Sequence, residues 1–371
     1  MSQPVPKAAL YYSPASIWAS VPLLALEEKG YGSDEVDLKE VNLATGENFR
    51  PSYLRLNPAG TVPTLVVPLQ KTLSPEIESR YKAIQDTKAC QSHPNSTHIL
   101  THHQAIVEFL DKSRSAQSRT HTTSTAPSPS LAPATIAFNV VSGQIIELLH
   151  SHGADPNALF YMNARTEGEL KELAKTLLPF VSGRRETLSK LLADSDSGAL
   201  HVSEKTKAFW QVKLIATDKF VQVYQDAEKS EGDLSDEARQ ARQEYLRSAK
   251  AAWIALKDVL SALNKEVIGP FVLGDQLSVA DLHLAAWLAR IASLSGASAS
   301  DDGNAAVAKI EAHVGDGFSL DREFSVAEAR RRAGIPVTGV EPTERQSKLA
   351  AFWDAVKERP SWKKVYGEGL H

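Results

Sequence analysis

The amino-acid sequence predicts two unlike parts, a mixed α/β domain at residues 1–113 and an all-helical remainder from residue 134 onward. Short apolar runs alternate with helical patterns in the first part, whereas only helical periodicity is found in the second. Residues 114–133, which lie between them, are rich in Ser, Thr, Pro and Ala and have almost no large apolar side chain. Such a composition cannot support a packed core and is typical of a linker.

The predicted order of elements in the first part is β-α-β-α-β-β-α. Residues 8–12 form an apolar run typical of a buried strand, and helical spacing of apolar residues then predicts a helix that ends at Gly30. Pro22 lacks a backbone N–H, so we expect either irregular first turns or a late start of the regular helix. The later elements are predicted as a strand at 36–41, a helix from Pro51, hairpin arms at 64–68 and 98–100, and a helix at 103–112.

A long insertion separates the two predicted hairpin arms. Residues 70–97 lie between them, whereas hairpin loops usually have about 2 to 5 residues. We expect a helical turn within this insertion at residues 76–84. The predicted first domain therefore spans residues 1–113 and includes the insertion.

The all-helical domain is predicted to span residues 134–371. Its periodicity predicts helices at residues 135–152, 166–193, 204–227, 235–263, 279–294 and 347–358. Residues 296–346 are rich in Ala, Gly and Asp, so we expect an excursion from the helical core there.

Composition and charge exclude several classes of function. The formal net charge of -4 lacks the basic surplus that nucleic acids or anionic membranes attract, so we expect neither as a partner. No stretch approaches the ~20 apolar residues of a membrane span, and residues 1–9 lack the apolar core of a signal peptide. The single cysteine, Cys90, excludes an intramolecular disulfide. These features favour a cytoplasmic protein.

The most informative motif is the loop at residues 57–65, whose sequence is NPAGTVPTL. Two prolines flank a glycine directly before a strand, which favours a tight loop with a cis Val62–Pro63 peptide bond. Such a bond leaves the N–H and C=O of Val62 available to pair with an extended peptide. The alternative is an ordinary turn built by Pro and Gly.

Four segments together resemble the N-terminal domain of the glutathione transferases, especially the serine-type and fungal members. The resemblance covers about residues 8–112 and lies in the segments YYSPAS from Tyr11, GENFRP from Gly46, the loop at 57–65 and ILTHHQAI from Ile99. It implies a thioredoxin-like fold for the first domain. A second similarity lies at Ser278 and Asp281, which match the capping box of the central helix in the family's helical domain.

This resemblance implies a site for the thiol of glutathione at the start of the first helix. Ser16 takes the place of the activating serine of serine-type members, and Ser13 and Tyr12 are nearby alternatives. A hydroxyl at a helix N-terminus supplies the hydrogen bond and positive potential that lower a thiol pKa. Each of these hydroxyls has a plain helix cap as its alternative role. The resemblance also implies that the peptide part of glutathione pairs with Val62 at Pro63.

The ends of glutathione have further predicted partners. Arg50 and Asn48 take the places of residues that bind the glycine carboxylate, although an arginine there is also compatible with plain solvent exposure. His102 and His103 stand where the family has an acidic residue and a serine for the γ-glutamyl end. This departure removes a negative partner for the amino group. The alternative is that the two histidines are a helix cap and a solvated side chain. The histidines lack a second ligand set at fixed spacing, so no metal site is predicted.

The resemblance thus implies a cytosolic glutathione transferase that conjugates glutathione to small hydrophobic electrophiles or reduces peroxides. Glutathione is then a co-substrate, and no cofactor is expected. No cysteine lies in the loop that carries Ser16, which argues against chemistry through a protein cysteine. The alternative is a non-catalytic ligand-binding or protein-interaction protein of the same fold. The family resemblance also implies a homodimer.

Overall fold

A four-stranded sheet forms the core of the first domain in the computed structural model, which describes residues 7–68, 81–85, 102–114 and 124–371. The strands are β1 (Ala8–Tyr12), β2 (Val36–Glu40), β3 (Thr64–Pro68) and β4 (Tyr81–Gln85), in the spatial order β2-β1-β3-β4. β1 runs parallel to β2 and antiparallel to β3, and β3 runs antiparallel to β4. Leu10 and Leu65, both fully buried, face each other in the ladder between β1 and β3.

The last strand lies earlier in the chain than the sequence predicted. β4 occupies residues 81–85, within the predicted insertion, so the helical turn expected at 76–84 is wrong over its last residues. The predicted arm at residues 98–100 lies outside the described part of the chain. The strand was missed because pairing of residues 81–85 with β3 depends on a tertiary contact that sequence periodicity does not report.

Three helices complete the order β-α-β-α-β-β-α that the sequence predicted, namely α1 (Ile17–Glu28), α2 (Pro51–Leu54) and α3 (His102–Ser113). Two of their boundaries follow from local chemistry. Gly30 adopts a left-handed φ of +65° just beyond α1, and Pro51 occupies the first position of α2. The irregular or late start expected for α1 is wrong, because the helix is regular from Ile17 and includes Pro22 at the cost of one backbone hydrogen bond.

The remainder is almost entirely helical, as predicted. Its helices are α4 (Ile136–Leu149), α5 (Pro156–Tyr161), α6 (Glu167–Asp196), α7 (Glu204–Gln225), α8 (Asp236–Glu266), α9 (Val279–Leu294), α10 (Gly303–Val314), α11 (Val326–Ala333), α12 (Lys348–Lys357) and α13 (Pro360–Tyr366). Two short strands, β5 (Phe324–Ser325) and β6 (Arg345–Gln346), pair with each other. Each of the six helices predicted from periodicity corresponds to one of these elements.

The segment at residues 296–346, predicted as an excursion from the helical core, contains α10 and α11. α10 buries Val307, Ile310 and Val314. Gly303 at its first position allows close packing, since a Cβ atom there would lie 2.1 Å from the carbonyl oxygen of Ala350 in α12. Gly303, one of the small residues that suggested irregular structure, therefore allows close contact between α10 and α12.

Part of the predicted linker is packed as well. Leu131 is buried, and its N–H donates to the Asp111 carboxylate at 2.9 Å. The Arg114 guanidinium donates to the Ser124 carbonyl oxygen at 3.0 Å and to Glu35 at 2.7 Å. These contacts attach the chain around residues 124–131 to the end of α3.

Contacts between Cα atoms divide the chain into two compact units. One comprises residues 1–40, 62–156 and 255–371, and the other comprises residues 41–61 and 157–254. The first contains the sheet, and its most buried helix is α9, where Trp287 donates to the Ala154 carbonyl oxygen at 2.8 Å. The second has a core between α6 and α7 that includes Leu177, Val181 and Tyr224. The domain boundaries proposed from the sequence stay a prediction.

Candidate active site

The turn between β1 and α1 places Ser16 at the N-cap of the helix. Ser16 has extended φ and ψ angles of -93° and 110°, and its carbonyl oxygen accepts from the Ala19 N–H at 3.0 Å. Its own N–H donates to the Ser13 carbonyl oxygen at 3.0 Å. Within the part of the chain that the structure describes, the Ser16 hydroxyl makes no capping hydrogen bond to α1. The hydroxyl therefore stands beside the positive end of a helix dipole without serving as its cap.

The two alternative hydroxyl groups lie in the same turn but in different surroundings. Ser13 is almost fully buried, whereas Ser16 is half-buried. Tyr12 is the last residue of β1, opposite Glu40 of β2 in the ladder. Ser16 is thus the more accessible of the two serines in this turn.

The Val62–Pro63 peptide bond is cis, as the sequence predicted. The ladder between β1 and β3 pairs Tyr11 with Thr64, and because the two strands are antiparallel, β3 begins at the end of the sheet where β1 finishes. Pro63 and the turn that carries Ser16 therefore lie at the same end of the sheet. The structure brings these two predicted parts of the site together.

A third feature of this turn was not predicted. Arg290 of α9 is buried, and its Nη2 donates to the carbonyl oxygen of Ala15 at 2.7 Å. α9 packs against α1, and both belong to the same compact unit. Sequence periodicity identifies α9 as a buried helix but gives no signal for this long-range contact. A lone arginine in the apolar run AAWLARIA was the only available hint.

His102 and His103 are the first two residues of α3. Their side chains lie outside the described part of the structure, so their contacts with glutathione stay a prediction. α3 itself packs against α1 and β4. The N-terminus of a helix has unsatisfied N–H groups that suit a carboxylate, which is compatible with the predicted role of this position.

Asn48 and Arg50 belong to the other compact unit. Asn48 is buried in a short 3-10 helix, Glu47–Phe49, and its Nδ2 donates to the Gly60 carbonyl oxygen at 2.7 Å. Arg50 is exposed and occupies the N-cap position of α2. The Asn48 side chain therefore ties together two loops of its own unit, and binding of glutathione by either residue stays a prediction.

A family model for the N-terminal domain of glutathione S-transferase matches residues 15–113. Residues 15–113 are thus similar to this domain. The match confirms the predicted resemblance over these residues, which include Ser16, the Val62–Pro63 bond and the start of α3. The serine-type and fungal subtype stays a prediction.

Solved glutathione transferases resemble the chain over nearly its whole length, at low scores. Glutathione transferase F2 from Populus trichocarpa is 14% identical, with 96% of each chain covered and a TM-score of 0.41. Glutathione transferase Omega 3C from Trametes versicolor is 14% identical, with 97% of this chain and 84% of that chain covered and a TM-score of 0.42. No curated protein matches the sequence. The assignment of the glutathione S-transferase domain thus rests on the family model and the observed sheet.

Within residues 7–68, 81–85, 102–114 and 124–371, no three His, Cys, Asp or Glu side chains are grouped so that they could hold a metal ion. None of the helices in those ranges is both long and apolar enough to cross a membrane.

Proposed function

We propose that the protein is a glutathione transferase in which the Ser16 hydroxyl stabilises the thiolate of glutathione. The observation that carries the proposal is the position of Ser16 at the N-cap of α1, where its hydroxyl does not cap the helix. The cis Val62–Pro63 bond at the same end of the sheet supports it, because it offers backbone groups to the peptide part of the substrate.

The chemistry begins with ionisation of the glutathione thiol, whose proton passes to solvent. A hydrogen bond from the Ser16 hydroxyl and the dipole of α1 both stabilise the thiolate that remains. The sulfur then forms a bond to an electrophilic carbon, and the leaving group departs with its electron pair. With a peroxide, the sulfur takes one oxygen and releases an alcohol, and a second glutathione then gives the disulfide and water.

The test is the rate of conjugation against a panel of small hydrophobic electrophiles, measured for wild type, Ser16→Ala, Ser13→Ala and Tyr12→Phe. We expect Ser16→Ala to lower kcat/KM by about 100-fold, the effect typical of removing one donor to a developing anion. Ser13→Ala and Tyr12→Phe are expected to have smaller effects. A matched control is Ser325→Ala at the N-cap of α11, where the hydroxyl accepts from the Glu328 N–H.

Two results would contradict the proposal. Absence of glutathione-dependent turnover by wild type would refute the enzymatic function. Full activity in Ser16→Ala, combined with loss in Ser13→Ala or Tyr12→Phe, would move the activating hydroxyl to another residue of the turn.

A non-catalytic binding protein of the same fold is the second candidate. The observation that favours it is the sequence His102-His103, in place of the acidic residue and serine that the family resemblance leads us to expect. Titration calorimetry with glutathione separates the two functions. Binding without turnover supports the second candidate, whereas turnover that depends on Ser16 supports the first. Sedimentation of the same samples tests the predicted homodimer.

A further inference from the structure

The guanidinium of Arg290 lies directly beneath the turn that carries Ser16. Arg290 is on α9, is 4% exposed, and donates through Nη2 to the Ala15 carbonyl oxygen at 2.7 Å. The two residues are 275 positions apart. A buried charged donor is costly unless it is hydrogen-bonded, so this contact is a built feature of the fold and not a chance approach of a surface side chain.

The contact fixes one peptide group on both sides. The Ala15 carbonyl oxygen and the Ser16 N–H belong to the same peptide plane, and the carbonyl accepts from Arg290 while the N–H donates to the Ser13 carbonyl oxygen. This plane sets the direction in which the chain enters α1. The orientation of the Ser16 side chain therefore depends on Arg290, because Ser16 is the residue at which the helix begins.

The positive charge of Arg290 has a second effect at the N-terminus of α1. Its guanidinium stays protonated at every physiological pH, and the first turn of α1 has no acidic residue that would oppose it. A buried positive charge near the N-terminus of a helix adds to the positive end of the helix dipole. Both favour an anion bound at the start of α1.

Two titratable groups lie within the influence of this charge. Burial raises the pKa of Tyr366 far above its usual range, and burial followed by the Arg290 charge lowers the pKa of His371. The rings of His371 and Tyr366 contact each other, and Nε2 of His371 lies 3.2 Å from the Ser20 hydroxyl oxygen in α1. Both shifts favour the neutral forms of these two side chains.

We propose that Arg290 is a positioning residue for the activation of glutathione: it holds the Ala15–Ser16 peptide and stabilises the thiolate that Ser16 binds. This inference rests on the proposed function. It assigns to a helix of the C-terminal part a role in the chemistry of the N-terminal domain.

The experiment measures the thiol pKa of bound glutathione from its ultraviolet thiolate absorbance in wild type, Arg290→Gln and Arg290→Lys. Glutamine retains a neutral hydrogen-bond donor, and lysine retains the positive charge. The two variants therefore separate the effect of the hydrogen bond to Ala15 from the effect of the charge. We expect Arg290→Gln to raise the bound thiol pKa by about one unit, which lowers kcat about tenfold below that pKa and much less above it. Arg290→Lys is expected to recover most of this loss. The KM for glutathione should change less than kcat.

A matched control is Arg359→Gln, which removes the partner of the buried Glu28 carboxylate in the same unit. It is expected to lower the thermal midpoint while leaving the bound thiol pKa unchanged. An Arg290→Gln variant that only loses stability, with a wild-type thiol pKa, would overturn the inference.

The outcomes separate this inference from the proposed function. If wild type itself does not lower the thiol pKa, the proposed function fails and the role of Arg290 fails with it. If wild type lowers the thiol pKa and Arg290→Gln lowers it equally, only the inference fails. Should Arg290→Gln not fold, Arg290→Met replaces it in the same measurement, because methionine also removes the charge and the donor. A bound thiol pKa equal to that of wild type in Arg290→Met would overturn the inference.

Discussion

The Asp281 carboxylate accepts a hydrogen bond from the backbone N–H of Val272 at 2.6 Å, in addition to those from the N–H and hydroxyl of Ser278 at 2.7 and 2.6 Å. It thus joins the start of α9 to the loop before the helix. Asp281 is fully buried, and this burial raises its pKa to about 6 in spite of the three donors. The loss of hydration therefore outweighs the hydrogen bonds.

The raised pKa predicts an unusual pH dependence of stability for Asp281→Asn. The unfolded carboxyl has a pKa of about 3.9, so between about pH 4 and 6 the carboxyl is protonated in the folded state but ionised in the unfolded state. The free energy of unfolding of wild type therefore falls by up to roughly 3 kcal/mol as the pH rises through that range. The asparagine variant cannot titrate. We expect the stability difference between wild type and Asp281→Asn to narrow from pH 4.5 to pH 7.5, measured by urea unfolding. A difference that widens would show that the three donors lower the pKa.

The buried ion pair between Lys29 and Asp111 predicts a large effect of a single substitution. Nζ of Lys29 lies 2.8 Å from the carboxylate and also donates to the Pro129 carbonyl oxygen at 2.6 Å. Lys29→Met leaves the Asp111 charge buried without its partner, and we expect it to cost about 3 to 5 kcal/mol. The double variant Lys29→Met/Asp111→Leu should be clearly more stable than the single one.

The control for this pair lies on the same helix as Asp111. Lys112 is exposed and pairs with Glu108 at 3.3 Å, so Lys112→Met should cost less than about 1 kcal/mol in the same unfolding experiment. Equal losses for Lys29→Met and Lys112→Met would contradict the claim that burial determines the cost.

The sequence predicted those parts of the fold whose signals are local. α9 spans residues 279–294 as predicted, because the capping box at Ser278 and Asp281 marks its start and the apolar run gives its length. β3 and the cis Val62–Pro63 bond were likewise predicted from a local motif. Helices α10 and α11 were not, since their composition resembles that of a loop and their stability comes from tertiary packing.

In the candidate site, too, only the residues with a local sequence signal could be predicted. Ser16 could be named as a candidate because it lies in the short segment YYSPAS, a local motif that a family resemblance can carry. Arg290 was not found, because its importance arises only when α9 packs against α1. The hydrogen bond from Asn48 to the Gly60 carbonyl oxygen was likewise not predicted, because it depends on a contact between two loops.

Close packing at Gly303 predicts opposite outcomes for two glycine substitutions in helices. A Cβ atom at Gly303 would lie 2.1 Å from the Ala350 carbonyl oxygen, so Gly303→Ala must displace α10 or α12. We expect a loss of about 1 to 3 kcal/mol. At Gly168, in the first turn of α6, nothing lies within 4 Å, and Gly168→Ala should stabilise the protein by a few tenths to about 1 kcal/mol. Thermal unfolding of the two variants checks both signs.

We expect substitutions of Asn48 and Arg50 to affect different properties, namely stability for Asn48 and binding of glutathione for Arg50. Asn48→Ala removes the donor to the Gly60 carbonyl oxygen in a buried setting, and we expect a loss of about 1 to 3 kcal/mol in the free energy of unfolding. Arg50 is exposed, so Arg50→Ala should change stability by less than about 0.5 kcal/mol. If Arg50 binds the glycine carboxylate, its removal raises the KM for glutathione about tenfold or more, because a charge-assisted hydrogen bond contributes about 1.5 to 3 kcal/mol. An unchanged KM in Arg50→Ala would leave the exposed guanidinium without the predicted role, and a raised KM in a fully stable Asn48→Ala would assign the carboxylate to Asn48 instead.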